Sequence, residues 1–186
     1  MDINLKKIEN SILFFANKSN NRIERMRLMK LMWLSDRLHL NKYGRLILND
    51  RYKALPNGPI ASTALNISQY GIPGSINVDK HYVNSLKDFE VDFFSKSDLK
   101  IMDYVWEKFQ NMESFEFSEY SHKYPEWLRF EKVLNAEHTP NAYDIVIQDF
   151  FEFPELKEFE DLLDLETIEL SKEDFNVKNS IQSALK

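Results

Sequence analysis

A mainly helical fold, a single helical domain with one small β-hairpin near residues 46–55, is what this sequence predicts, and three observations predict it. Apolar residues recur at three- and four-residue spacing through most of the first half and beyond, only one stretch offers two facing extended runs, and the glycines fall between periodic segments. A 186-residue chain with 43% hydrophobic and 13% aromatic content suits one sizeable core. Cysteine is absent, which excludes disulfides and thiolate chemistry and agrees with a reducing compartment. The apolar run near the N-terminus is too short and too interrupted by charge for a membrane span or a signal-peptide core. The expected location is the cytoplasm, with no membrane partner.

The elements follow in order. Leu5, Ile8, Ile12 and Phe15 mark a first amphipathic helix ending near 17–20. Asn21 with Glu24 reads as a capping pair opening a second helix, in which Leu28, Leu31, Ser35 and Leu38 form a stripe widened by Met29, Met32, Trp33 and Leu40. So broad an apolar girth places that helix centrally, and Gly44 stops it. "LILND" and "RYKAL" then read as two extended pieces around a turn at Asn49-Asp50. Gly58-Pro59 follows as a sharp corner, because proline fixes its own φ and pushes the preceding residue out of the α region, and Pro59 suits the first turn of a third helix closed by Gly71. "GIPGSINVDKHY" reads as a loop and "DFEVDFF" as an extended segment. Ser95 and Ser97 cap a helix over 98–111 carrying Leu99, Met102, Trp106 and Phe109. A break near 113–118, a helical turn before Pro125 and a short helix in "WLRFEKVLN" complete a domain spanning 1–135. Residues 136–186 form an acidic, partly helical extension packed on that domain or continuing it. It holds 11 acidic residues from Asp149 to Asp174 against two lysines, with enough Phe, Leu and Ile to confine disorder to about the last ten residues.

Charge is unevenly spread. Residues 1–53 carry 12 Lys and Arg against 5 Asp and Glu, a surplus of +7, while the remainder carries 12 against 25 for -13. A helical DNA-binding regulator would place Arg22, Arg25, Arg27 and Lys30 of the basic helix 22–45 on phosphates, but the acidic remainder opposes a polyanion unless the two faces are segregated. A solvated helix surface is the ordinary reading of the same charges.

The run "KLMWLSDRLHLNKYGRLILNDRYKALPNGPIAS", with the later "SDLKIMDYVWEKF" and "SEYSHKYPEWL", resembles the Panacea domain, the SocA-like antitoxin family, over roughly residues 5–135. The likeness lies in order and spacing: an apolar helix with an internal Asp, a glycine, an extended pair, Gly-Pro, then a downstream Ser-His and Trp. The resemblance implies a mostly helical fold and an antitoxin that neutralises a toxin encoded beside it. The partner is then the cognate toxin protein, with DNA as the alternative. It also implies that Asp36 belongs to the motif of the second helix and braces the Gly-Pro corner.

Asp36 stands one position from the apolar stripe, so it should be at least partly buried and paired, with Arg45, Arg51 or the N–H groups at the Pro59 helix start in reach. His122, five residues before Trp127, lacks the base, orienting group and oxyanion donors of a nucleophilic site, so a structural role near the Trp127 turn is expected. His39, His81 and His138 are scattered, and no glycine-rich phosphate loop occurs. No catalytic, metal or cofactor site is expected. Trp33, Trp106 and Trp127, with Tyr43, Tyr52 and Tyr104, are read as core rather than as a ligand platform. The candidate partner-binding residues are Arg51, Tyr52, Lys53, Asn57, Gly58 and Pro59, insofar as they are exposed, with Asp36, Gly44, His122 and Trp127 as the structural motif.

Overall fold

A computed structural model describes residues 3–138 and 140–184. The fold is mainly helical, with two small antiparallel sheets. Helix α1 (Leu5–Lys18) is capped by Asn4, whose side chain accepts from the Lys7 N–H. Strand β1 (Arg22–Glu24) leads into α2 (Arg25–Tyr43), the longest helix of the first half. The hairpin β2 (Tyr52–Leu55) and β3 (Gly58–Ala61) precedes α3 (Ser62–Tyr70), and a second hairpin, β4 (Ile76–Asp79) and β5 (Tyr82–Ser85), follows. After a 3₁₀ turn at Val91–Phe93 come α4 (Lys96–Phe109), α5 (Ser114–Ser121), α6 (Pro125–Leu128) and α7 (Glu131–Leu134). The acidic part supplies β6 (Tyr143–Asp144), two 3₁₀ turns and α8 (Leu165–Ala184). One sheet has the order β1-β5-β4, the other β3-β2-β6. No helix of the described residues is long and apolar enough to cross a membrane.

Helix α2 is the axis of the molecule. It packs on α1, α4, α5 and α8 and on β3, and from Leu28 to Asn41 every residue is buried. One apolar cluster runs from Ile8 to Phe175 and includes Trp33, Trp106 and Trp127. Gly44 ends α2 at φ 63°, ψ 21°, the left-handed cap that glycine adopts without strain. A Cβ there would run into Asp174 of α8, so the glycine also permits the acidic segment to close against α2.

Several sequence expectations are corrected, and competition for backbone N–H groups explains those at "LILND", at the start of α3 and at "DFEVDFF". "LILND" is not a strand, because the buried Asp36 carboxylate takes the N–H groups of Ile47 and Leu48 and leaves no ladder for them. The hairpin is therefore displaced to 52–61, with Pro56-Asn57 as its turn and Pro59 inside β3 rather than in a helix. Asp50 starts α3 instead, its carboxylate accepting from Thr63 and Ala64. "DFEVDFF" is extended only at its flanks, broken by the 3₁₀ turn Val91–Phe93, and it joins no sheet: Asn17 and Asn10 of α1 accept from Phe89 and Glu90. Asn21 does not cap α2. It takes φ 63°, a conformation Asn tolerates, and its side chain binds Asn17 and Ser85. The β4–β5 hairpin was hidden because its Lys80-His81 turn lacks the Asn-Gly or Asp-Gly signal. Helix α4 begins at Lys96, since Ser95 and Asp98 form a reciprocal capping box, and α5 begins inside the expected break. The last ten residues, expected to be disordered, continue α8 as far as Ala184.

Candidate functional site

The tip of the β2–β3 hairpin draws distant parts of the sequence together. Three of its carbonyls are each taken by a side chain from a different helix: Trp127 Nε1 donates to Leu55 O at 2.8 Å, Ser118 Oγ to Asn57 O at 2.8 Å, and Lys30 Nζ to Pro59 O at 3.1 Å. Pro59 has no N–H to waste, which suits it to this edge strand. Gly58 is at φ 100°, and a Cβ there would overlap Ser121 Oγ and Lys30 Nζ. The position therefore needs glycine both for its backbone and for the close approach of a lysine. His122 stacks on Trp127 with ring centroids 3.7 Å apart and planes 12° from parallel, backing the indole that holds Leu55. Burial lowers the imidazole's pKa, and the nearby Lys30 charge acts in the same direction against Glu119 and the Pro56 carbonyl.

A pocket of about 300 Å³ opens against this corner. Its apolar wall is Met26, Met29, Leu55, Ile60 and Leu65, and Glu24, Arg25, Lys30, Asn57 and His81 supply its polar groups. Lys30 is 1% exposed, and burial pushes its ammonium down to about 7. Glu24 accepts from Ser114 Oγ at 2.5 Å, which ties the pocket wall to the start of α5, and the next residue, Phe115, is 74% exposed.

The candidate residues separate. Asn57 and Gly58 line the pocket, while Pro59 contributes its carbonyl to Lys30. Tyr52 is not a surface residue: it is buried and donates to Asp36 at 2.6 Å. Arg51 is exposed at the other end of β2, and Lys53 pairs with Asp144 of β6 at 2.9 Å. Asp36 is fully buried, and burial raises its pKa to about 6 against its three hydrogen bonds, from Ile47 N, Leu48 N and Tyr52 Oη. Arg45, one of its expected partners, pairs with Asp98 instead at 2.7 Å. Asp36 thus braces the base of β2, and neither it nor Gly44 touches the tip.

Of the four cations, Arg22 lies on β1 in a half-exposed surface pair, and all four are engaged by other residues of the fold. Arg22 pairs with Asp79 and stacks on Tyr82, Arg25 donates to the carbonyls of Ser68 and Lys80, Arg27 donates to Gln110 O and covers Trp106, and Lys30 is buried. They form no exposed row along α2 for a phosphate backbone.

Sequence reasoning missed two charged clusters. Arg37 and Glu126 are a fully buried pair at 2.7 Å, with Trp33 Nε1 also donating to Glu126 and Arg37 donating to the Glu152 carbonyl. Asp98 collects Lys7, His39 and Arg45. Burial acts upward on its carboxyl, but the His39 and Lys7 hydrogen bonds hold it far below the usual range. An arginine within an apolar helix and a glutamate between Pro125 and Trp127 were the available signals. Among the described residues no group of His, Cys, Asp or Glu is arranged to hold a metal ion.

Fold and site together define a mainly helical protein in which a braced β-turn forms one wall of an open, mostly apolar pocket. Comparison with known families narrows that class: the family model "Antitoxin SocA-like, Panacea domain" matches residues 28–128, more than half of the chain, and the chain belongs to that family. Neither the curated proteins nor the solved structures give a match.

Proposed function

We propose that the protein is an antitoxin that neutralises a partner toxin by stoichiometric binding, with the pocket at the Gly58-Pro59 corner as its contact face. The observation that carries this reading is the corner itself: a turn fixed from three helices, beside an apolar pocket and within the family-matched segment. A preordered surface spends little binding energy on ordering, and Phe115, an exposed aromatic next to the Ser114 that holds Glu24, is the kind of side chain that anchors interfaces. No observation favours the DNA-binding alternative, since Arg22, Arg25, Arg27 and Lys30 are engaged within the fold.

The test is co-expression with the product of the adjacent gene at graded ratios, reading growth and co-purification. Stoichiometric binding predicts protection that tracks the antitoxin-to-toxin ratio and a complex that survives purification. Phe115→Asp should abolish both while leaving the thermal midpoint unchanged. Protection at a small fraction of the toxin level, with no complex, would overturn the reading.

A further inference from the structure

Lys30 is unlike the other buried cation. Arg37 faces a carboxylate, whereas Lys30, with three N–H donors, has the Pro59 carbonyl as its hydrogen-bond partner and no carboxylate among the described residues. Arg25, on the same pocket wall, engages only carbonyls among the described residues. The one carboxylate of the wall, Glu24, is held by Ser114 and faces the Arg27 charge. Glu24 also precedes α2 without capping it by its side chain, so the positive end of that helix dipole points to the same region. Two cations against one occupied carboxylate, on a wall otherwise made by Met26, Met29, Leu55, Ile60 and Leu65, describe a receptor for a carboxylate flanked by apolar groups. Methionines adapt to varied apolar shapes, which suits a peptide segment better than a free inorganic anion.

We propose that the pocket receives an acidic side chain of the partner protein, Asp or Glu carried between apolar neighbours, with its carboxylate paired to the Lys30 ammonium. This rests on the reading of the protein as a toxin-binding antitoxin and specifies the chemistry of what is bound. Gly58 is part of the device. By lacking a Cβ it lets the ammonium lie against the turn, where the Pro59 carbonyl orients it. A charge-assisted contact to an ammonium as buried as that of Lys30 discriminates strongly between a carboxylate and its amide.

The probes are three blocked or part-blocked peptides, acetyl-Leu-Glu-Leu-amide, acetyl-Leu-Gln-Leu-amide and acetyl-Leu-Leu with a free C-terminal carboxylate, together with inorganic phosphate. Each is titrated to about 10 mM into the full chain carrying labelled lysine and methionine side chains, a range that reaches weak binding. The glutamate peptide should move the Lys30 ε signal and the Met26 and Met29 methyls. It should bind about tenfold tighter than the glutamine peptide and raise the pH at which Lys30 titrates by about one unit. Lys30→Met should erase the tenfold preference while keeping the methyl shifts, which also shows that the variant is folded. Equal binding of the two blocked peptides, no shift with any, stronger binding of the free C-terminus, or phosphate alone matching the glutamate peptide would each overturn the proposal. Neutralisation of the adjacent gene product, measured separately, stands or falls on its own result.

Discussion

The two halves of α2 bury charge in opposite ways. In the C-terminal half, Asp36 receives three donors, Arg37 faces Glu126, His39 bridges the Arg45 carbonyl and Asp98, and Asn41 donates to the carbonyls of Arg37 and Phe150. Each of these ties α2 to a different segment. In the N-terminal half, Lys30 is as deeply buried but has a single carbonyl, and an open pocket lies beside it. Matched buried charges specify how elements dock, while an unmatched one beside a cavity is a feature for which a recognition role is proposed.

The contrast breaks most severely at Arg37. Arg37→Met strands the Glu126 carboxylate, whose pKa burial already pushes up, and should cost about 3–5 kcal/mol in urea unfolding. Adding Glu126→Met should recover much of that loss, because a hydrophobic pair has no desolvation penalty. Asp36→Ala comes next, at about 3 kcal/mol, since two buried N–H groups and the Tyr52 hydroxyl lose their acceptor. Its pH dependence has a definite sign. The folded-state pKa, about 6, lies above the ordinary 3.8, so the stability linked to this proton is full below about 4 and is lost as pH rises through 6. Asp36→Asn should flatten that part of the profile. If Asp36→Ala left the midpoint unchanged and abolished neutralisation, the C-terminal half of α2 would belong to the interface.

How much of this was legible in the sequence follows from the same chemistry. The periodicities of α1, α2 and α4 and the stop at Gly44 were readable because they depend on local spacing. "LILND" and "DFEVDFF" misled because Asp36, Asn10 and Asn17, remote in sequence, intercept their N–H groups. Tyr52 stands both among the expected core aromatics and among the partner residues proposed if exposed, because nothing local reveals that its hydroxyl ends on Asp36. Asn57, Gly58 and Pro59 did mark the corner, yet the pocket beside it needs His81 from another hairpin and Leu65 from α3, which only the tertiary fold supplies. The sequence groups Lys30 with Arg22, Arg25 and Arg27 as a solvated cation, because its place on α2 does not show that β3 covers it.

A smaller effect is expected at Lys30, and it is conditional on pH. Its folded-state pKa, about 7, lies below the ordinary 10.5, so the linked stability is present above 10.5 and is lost as pH falls through 7. Lys30→Met should therefore be at least as stable as the wild type near pH 6 and lose ground by about pH 9.5, where the unfolded chain still binds the proton that the folded chain has released. Unfolding at the two pH values reads this directly. A gap that stays constant would mean that Lys30 keeps its charge throughout, through a partner stronger than the Pro59 carbonyl.

The smallest effect belongs to the other end of β2. Arg51 is exposed, and Lys53 makes a surface pair with Asp144 whose carboxylate is 81% exposed, so Arg51→Ala and Lys53→Ala should each change stability by no more than about 0.5 kcal/mol. Their value is in ranking two faces of one hairpin. If the pocket at the tip is the contact, both variants should retain neutralisation and co-purification under the conditions where Phe115→Asp loses them. The opposite ranking, Arg51→Ala inactive and Phe115→Asp active with both proteins folded, would move the interface to the base of β2. There the buried Asp36–Tyr52 contact would be holding the binding face in position, and the scaffold and recognition roles assigned to the two halves of α2 would be exchanged.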